Sequence, residues 1–129
     1  MGYRSDVGLV VRRNKDVTTT ISELLALVKV AGYDIEDWKG YDARLEWDDD
    51  TLIFHVEDFK WYETYPEVQC VEKLKELALE TNEFSYSFAR VGEETDDNEY
   101  LAEGEDPPYE ALGIARYVCV DASIKAKGE

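Results

Sequence analysis

Histidine occurs once in this 129-residue chain, at position 55, and cysteine only twice, at 70 and 119. So few soft donors leave little from which to build a transition-metal centre, and two isolated cysteines make no disulfide framework. Cations are scarce as well: 14 Lys and Arg stand against 30 Asp and Glu, a formal net charge of −16. A broad surface for phosphates or anionic lipid would meet repulsion from the whole molecule, so direct nucleic-acid binding and membrane attachment are disfavoured. No apolar run approaches the roughly 18 residues of a membrane span, and residues 1–6 lack the apolar stretch of a secretory signal. The expectation is a soluble, cytoplasmic protein. Glycine-rich phosphate loops, GxSxG elbows and HExxH pairs are also missing.

What is present suffices for one core. Hydrophobic residues make up 44% and aromatics 12% of the chain, which favours a single domain over 1–124 with a frayed tail at 125–129. Val7, Leu9 and Val11 alternate with Gly8, Val10 and Arg12, the two-residue period of a strand buried largely on one face. Thr20 and Glu23 have capping-box spacing, and Ile21, Leu24, Leu25 and Val28 follow at helical spacing before Gly32. Ala43, Leu45 and Trp47 predict a second strand, and Leu52, Phe54 and Val56 a third, joined by a turn at 48–50 where Asp is tolerated. Thr64 and Glu67 repeat the capping-box spacing around Pro66, and Val71, Leu74, Leu77 and Ala78 carry a second helical stripe toward Asn82. Phe84, Tyr86 and Phe88 predict a fourth strand and residues 114–120 a fifth, across a long polar insertion at 92–113. This order is that of an α+β ferredoxin-like split βαβ sandwich (βαββαβ) with an extra C-terminal strand, the helices lying on one sheet face. The last strand is expected to pair with the fourth.

The negative charge is unevenly placed. Nine acidic side chains lie between Glu93 and Glu110, with no Lys or Arg between Arg90 and Arg116. More than half of the net charge therefore sits in one insertion. A second concentration runs from Asp34 through Glu36, Asp37, Asp42 and Glu46 to the aspartates at 48–50. Such clusters either keep a small domain soluble or, on a rigid scaffold, stand in for phosphates in the Lys/Arg groove of a nucleic-acid-processing protein. In the second case the surrogates are Asp48, Asp49, Asp50, Glu93, Glu94, Asp96, Asp97, Glu99, Glu103, Glu105 and Asp106. Charge alone is screened over about 8–10 Å in physiological salt, so aromatic anchors are needed, and Trp61, Tyr62 and Tyr100 are the candidates. Rings among Phe59, Trp61, Tyr62 and Tyr65 could equally close the core over the start of the second helix.

Catalytic patterns are weak by comparison. His55 has the strand parity opposite to Phe54 and Val56, within reach of Glu57, and could meet a cysteine only through the fold. Asp48, Asp49 and Asp50 begin like a calcium loop, but Leu52 occupies the third ligand position and no glycine follows. Asp96 and Asn98 fail similarly at Tyr100. No metal, cofactor or catalytic residue is assigned.

The opening Met1-Gly2-Tyr3-Arg4-Ser5-Asp6-Val7, the stretch Lys60-Trp61-Tyr62-Glu63-Thr64-Tyr65-Pro66-Glu67-Val68 and the segment Arg90-Val91-Gly92-Glu93-Glu94 together resemble a group of small acidic, uncharacterised tailed-phage proteins. The resemblance covers most of the first 94 residues in outline. It implies expression inside a host bacterial cell and assigns no active-site residue. Small acidic phage proteins include inhibitors of restriction, CRISPR and other host systems, an analogy that favours nucleic-acid mimicry toward a bacterial protein with a basic nucleic-acid-binding groove. A small-ligand or signal-nucleotide binding domain is the alternative, provided Arg4, Arg12, Arg13, Lys15 and Arg90 converge on a pocket. A phage structural or assembly accessory protein that self-associates through a sheet edge is another.

Overall fold

A computed structural model shows a mixed α+β fold and describes residues 4–94, 97–114, 118–120 and 124. Its elements are β1 (Ser5–Arg13), α1 (Ile21–Val30), β2 (Ala43–Trp47), β3 (Thr51–Phe59), α2 (Pro66–Glu80), β4 (Phe84–Gly92), β5 (Asn98–Glu103), β6 (Leu112–Ile114) and β7 (Val118–Val120). Short stretches of 3₁₀ helix cover Ile35–Gly40 and Tyr109–Ala111. The first five strands form one antiparallel sheet in the order β2-β3-β1-β4-β5, while β6 and β7 pair only with each other.

The two faces of the sheet are covered differently. On one, Val7, Leu9 and Val11 of β1 join Leu52, Phe54 and Val56 of β3 and Phe84, Tyr86 and Phe88 of β4 beneath the stripes of both α-helices. Trp38, from the first 3₁₀ turn, is fully buried at one end of this core. Its Nε1 donates to the Glu67 carbonyl at 3.1 Å, and its ring lies 4.8 Å from Phe54, 4.9 Å from Phe59 and 5.9 Å from Trp61. On the other face Val10, Ile53, Ala89 and Val91 meet Ala111, Leu112 and Val118. The approach is close at Gly8, where a Cβ would stand 2.6 Å from Val118 Cγ1.

Several sequence expectations need correction. β1 is buried on both faces instead of one, because the β6–β7 hairpin covers Gly8 and Val10. The strand beside β4 is not C-terminal but arises inside the 92–113 insertion, and residues 114–120 contribute to a hairpin instead of one strand. Strand order and count therefore differ from the expected sandwich. The capping box at Thr20 forms: its hydroxyl accepts from Glu23 N at 3.2 Å while Glu23 Oε1 accepts from Thr20 N. The one at Thr64 does not. With Pro66 as the first helical residue the cap falls on Tyr65, whose side chain makes no capping hydrogen bond, and Glu67 instead accepts from the Tyr41 hydroxyl at 3.0 Å. The tail at 125–129 lies outside the described residues. Among the described residues, no helix is long and apolar enough to cross a membrane.

Candidate functional site

The aspartates at the β2–β3 turn are largely occupied by the fold. Asp48 Oδ1 accepts from the backbone N–H groups of Asp50 and Thr51, each at 2.8 Å, which closes the turn. Asp50 pairs with Arg13 at 2.5 Å, and its carbonyl accepts from Arg13 N. Asp49 is exposed, although its carbonyl accepts from Ile21 N at the start of α1.

The insertion carries its carboxylates on ordered backbone. β5 pairs with β4 from Asn98 opposite Val91 to Glu103 opposite Tyr86. Strand alternation then puts Glu99, Leu101 and Glu103 on the helix-covered side and Tyr100 on the hairpin side. Arg90, opposite Glu99, organises one end. Its Nη2 and Nη1 donate to the two Asp97 carboxylate oxygens at 2.8 and 3.2 Å, Nη1 also reaches Ser5 Oγ, and Nε lies 3.6 Å from Glu99. The hydrogen-bonded Asp97 carboxylate, chiefly, holds this guanidinium above its ordinary pKa against the opposing effect of burial. Glu93 accepts from Arg4 N at 2.9 Å, and Glu94 is exposed. Asp96 lies outside the described residues.

Beyond β5 the chain turns at Gly104, whose φ of +107° suits glycine. Asp106 N donates to Ser85 Oγ at 2.9 Å, and the Ser85 hydroxyl donates to Asn14 Oδ1 at 2.5 Å, so this turn is fastened to the sheet. Glu103, Glu105 and Asp106 are exposed and enter no ion pair among the described residues. Glu110 does, with Arg12 at 2.9 Å; a backbone hydrogen bond and then that guanidinium hold its carboxyl below the usual range.

The proposed anchors divide. Trp61 is half-buried in the aromatic cluster with Trp38, Phe54, Phe59 and Phe88, so packing accounts for much of its surface. Tyr62 is half-buried and meets Tyr65 edge-on at 5.4 Å. Tyr100 is 40% exposed, and its hydroxyl donates to the Tyr109 carbonyl at 3.3 Å. It faces away from Trp61, on the other side of the sheet.

The cations required for a phosphate pocket do not converge. Arg4, Arg12 and Arg13 pair separately with Asp58, Glu110 and Asp50. A cleft of about 850 Å³ does lie against the helix-side face of β5, lined by residues including Trp61, Tyr62, Glu72, Lys75, Arg90 and Glu99. Of these, Arg90 was named from sequence as a pocket cation, whereas Lys75 and Glu72 were not singled out. Lys75 is 8% exposed, with Nζ 3.1 Å from Glu72 and 3.8 Å from the centre of the Phe88 ring.

His55 makes no pair with Glu57: its Nε2 is buried without a hydrogen-bond partner among the described residues. It shares the parity of Ile53, on the hairpin side, whereas Cys70 belongs to the helix-side core, so the sheet separates them. Burial, with Asp37 and Asp34 adding, pushes the Cys70 thiol up to about 12. Among the described residues no group of three His, Cys, Asp or Glu side chains is placed to hold a metal ion. Compared with protein-family models, curated proteins and solved structures, the chain finds no match.

Proposed function

We propose that this protein acts without catalysis, as an acidic phage protein that presents carboxylates to the basic groove of a bacterial nucleic-acid-processing or defence protein. The observation that carries this reading is the run of Glu103, Glu105 and Asp106 on β5 and its fastened turn, which enters no ion pair among the described residues. Glu99 extends the run, because Arg90 is shared with Asp97. Glu99 and Glu103 are four residues apart on one strand face, about 13 Å, comparable to the helix-axis rise of about four base pairs of DNA. The aspartates at the β2–β3 turn contribute to the general field, with Asp49 the most available of them. As to fold, the order β2-β3-β1-β4 with both helices on one face supports a ferredoxin-like split βαβ core to which β5 has been added at an edge.

The test is capture of a partner from bacterial lysate on the immobilised protein at low salt, followed by challenge with duplex DNA. A groove-filling mimic is expected to release a nucleic-acid-binding protein when DNA is added. Converting Glu99, Glu103, Glu105 and Asp106 together to Lys should slow association by at least about tenfold and flatten its salt dependence. Retention that DNA does not displace, or that the four reversals leave unchanged, rejects this reading.

A further inference from the structure

β5 ends the sheet: its inner edge pairs with β4, and no described strand pairs with its outer edge. Asn98, Glu99, Tyr100 and Glu103 are exposed along it. An open edge offers a row of alternating backbone donors and acceptors, which is what an added strand uses. Acidic side chains on the edge discourage a second copy of this chain from pairing there, since Glu99 and Glu103 of each copy would approach their counterparts.

The cleft lies beside this edge, against the face that carries Glu99 and Leu101. A strand laid along β5 would send every second side chain toward that face. The lining holds the cations Lys73, Lys75 and Arg90, two of them already beside Glu72 and Glu99. Its carboxylates outnumber them through Glu63, Glu76 and Asp97, and Trp61 and Tyr62 add ring faces, so the balance favours a further cation. The chain already contains an example of such a fit in the Lys75 ammonium, held between Glu72 and the Phe88 ring.

We propose that the β5 edge receives an extended, arginine- or lysine-bearing segment of the partner as a further strand, with basic side chains directed into the adjoining cleft. This rests on the reading of a basic partner given above and adds the backbone through which it is held. Charge steers the encounter, and the strand ladder with the filled cleft slows release.

The probe is a short capped peptide alternating arginine and valine, added to the intact wild-type protein. It is expected to shift Trp61 fluorescence and to protect the amides of Asn98–Glu103 from hydrogen exchange. A version N-methylated along one edge keeps the charge but loses strand donors, and should bind about tenfold more weakly. The double variant Glu72→Gln, Glu99→Gln should weaken the unmodified peptide by a similar factor, with folding checked by exchange in β1. Equal affinity for both peptides, protection outside β5, or no binding by either overturns strand addition. DNA-displaceable capture of a partner by wild-type protein would persist in those cases if only this inference is wrong, and would be absent if the acidic-surface reading is wrong.

Discussion

At the β2–β3 turn, Asp48 closes the turn through two backbone N–H groups and Asp50 is held by Arg13. Along β5 and its following turn, Glu103, Glu105 and Asp106 enter no ion pair among the described residues. Both regions are dense in carboxylates, yet one spends most of them on its own fold and the other leaves them outward. The difference lies in the neighbours: β1 brings Arg13 to the tip of the hairpin, whereas Arg90, opposite β5, is concentrated at the Asp97 end. Acidic residues counted along a sequence therefore overstate the field that a partner meets.

Gly104→Ala should disturb this contrast most. At φ +107° a Cβ would stand 2.7 Å from Ser85 Cα, so strain and overlap together should cost about 3 kcal/mol in urea unfolding. Exchange protection should be lost first in β5, while the β2–β3 turn stays protected. Asp48→Ala should cost about 1–2 kcal/mol by the same measurement, because two backbone donors lose a charged acceptor. Asp49→Ala should change stability by less than about 0.5 kcal/mol, which would show that the cost arises from the turn and not from reduced repulsion.

The smallest effect concerns Cys70, whose thiol pKa rises from an ordinary 9.0 to about 12. A folded value above the unfolded one means that its contribution is full below about 9 and is lost as pH rises toward 12. In a Cys119→Ser background, native Cys70 should resist alkylation at pH 9, while the urea-unfolded chain reacts readily. Because burial is the leading cause, Asp34→Asn with Asp37→Asn should lower the native value only slightly. A large drop would mean that the first acidic region projects its field inward.

The elements that bury an alternating or helical stripe were readable from sequence: β1 through Val7, Leu9 and Val11, β3 through Leu52, Phe54 and Val56, and α1 with its Thr20 cap. β5 was not, because Asn98 to Glu103 place only Leu101 and Ala102 against the rest of the protein, and an edge strand with one open side shows little apolar period. The β6–β7 hairpin was missed because two three-residue strands with apolar residues read as one longer run. Of the site, the acidic composition of the insertion was legible. Which carboxylates are matched by guanidinium groups was not, since Arg12 and Glu110 lie 98 positions apart and only the fold brings them together.

Asn14 joins distant parts of the chain: its N–H donates to the Glu83 carbonyl, its amide to the Asn82 carbonyl, and its Oδ1 accepts from Ser85, which in turn accepts from Asp106. Mechanically, that makes the acidic turn a handle bolted to the middle of the molecule. A load applied at Asp106 is passed through Ser85 to the end of β1 and resisted by the central strands, so tugging there strains the whole sheet before it peels the outermost strand away.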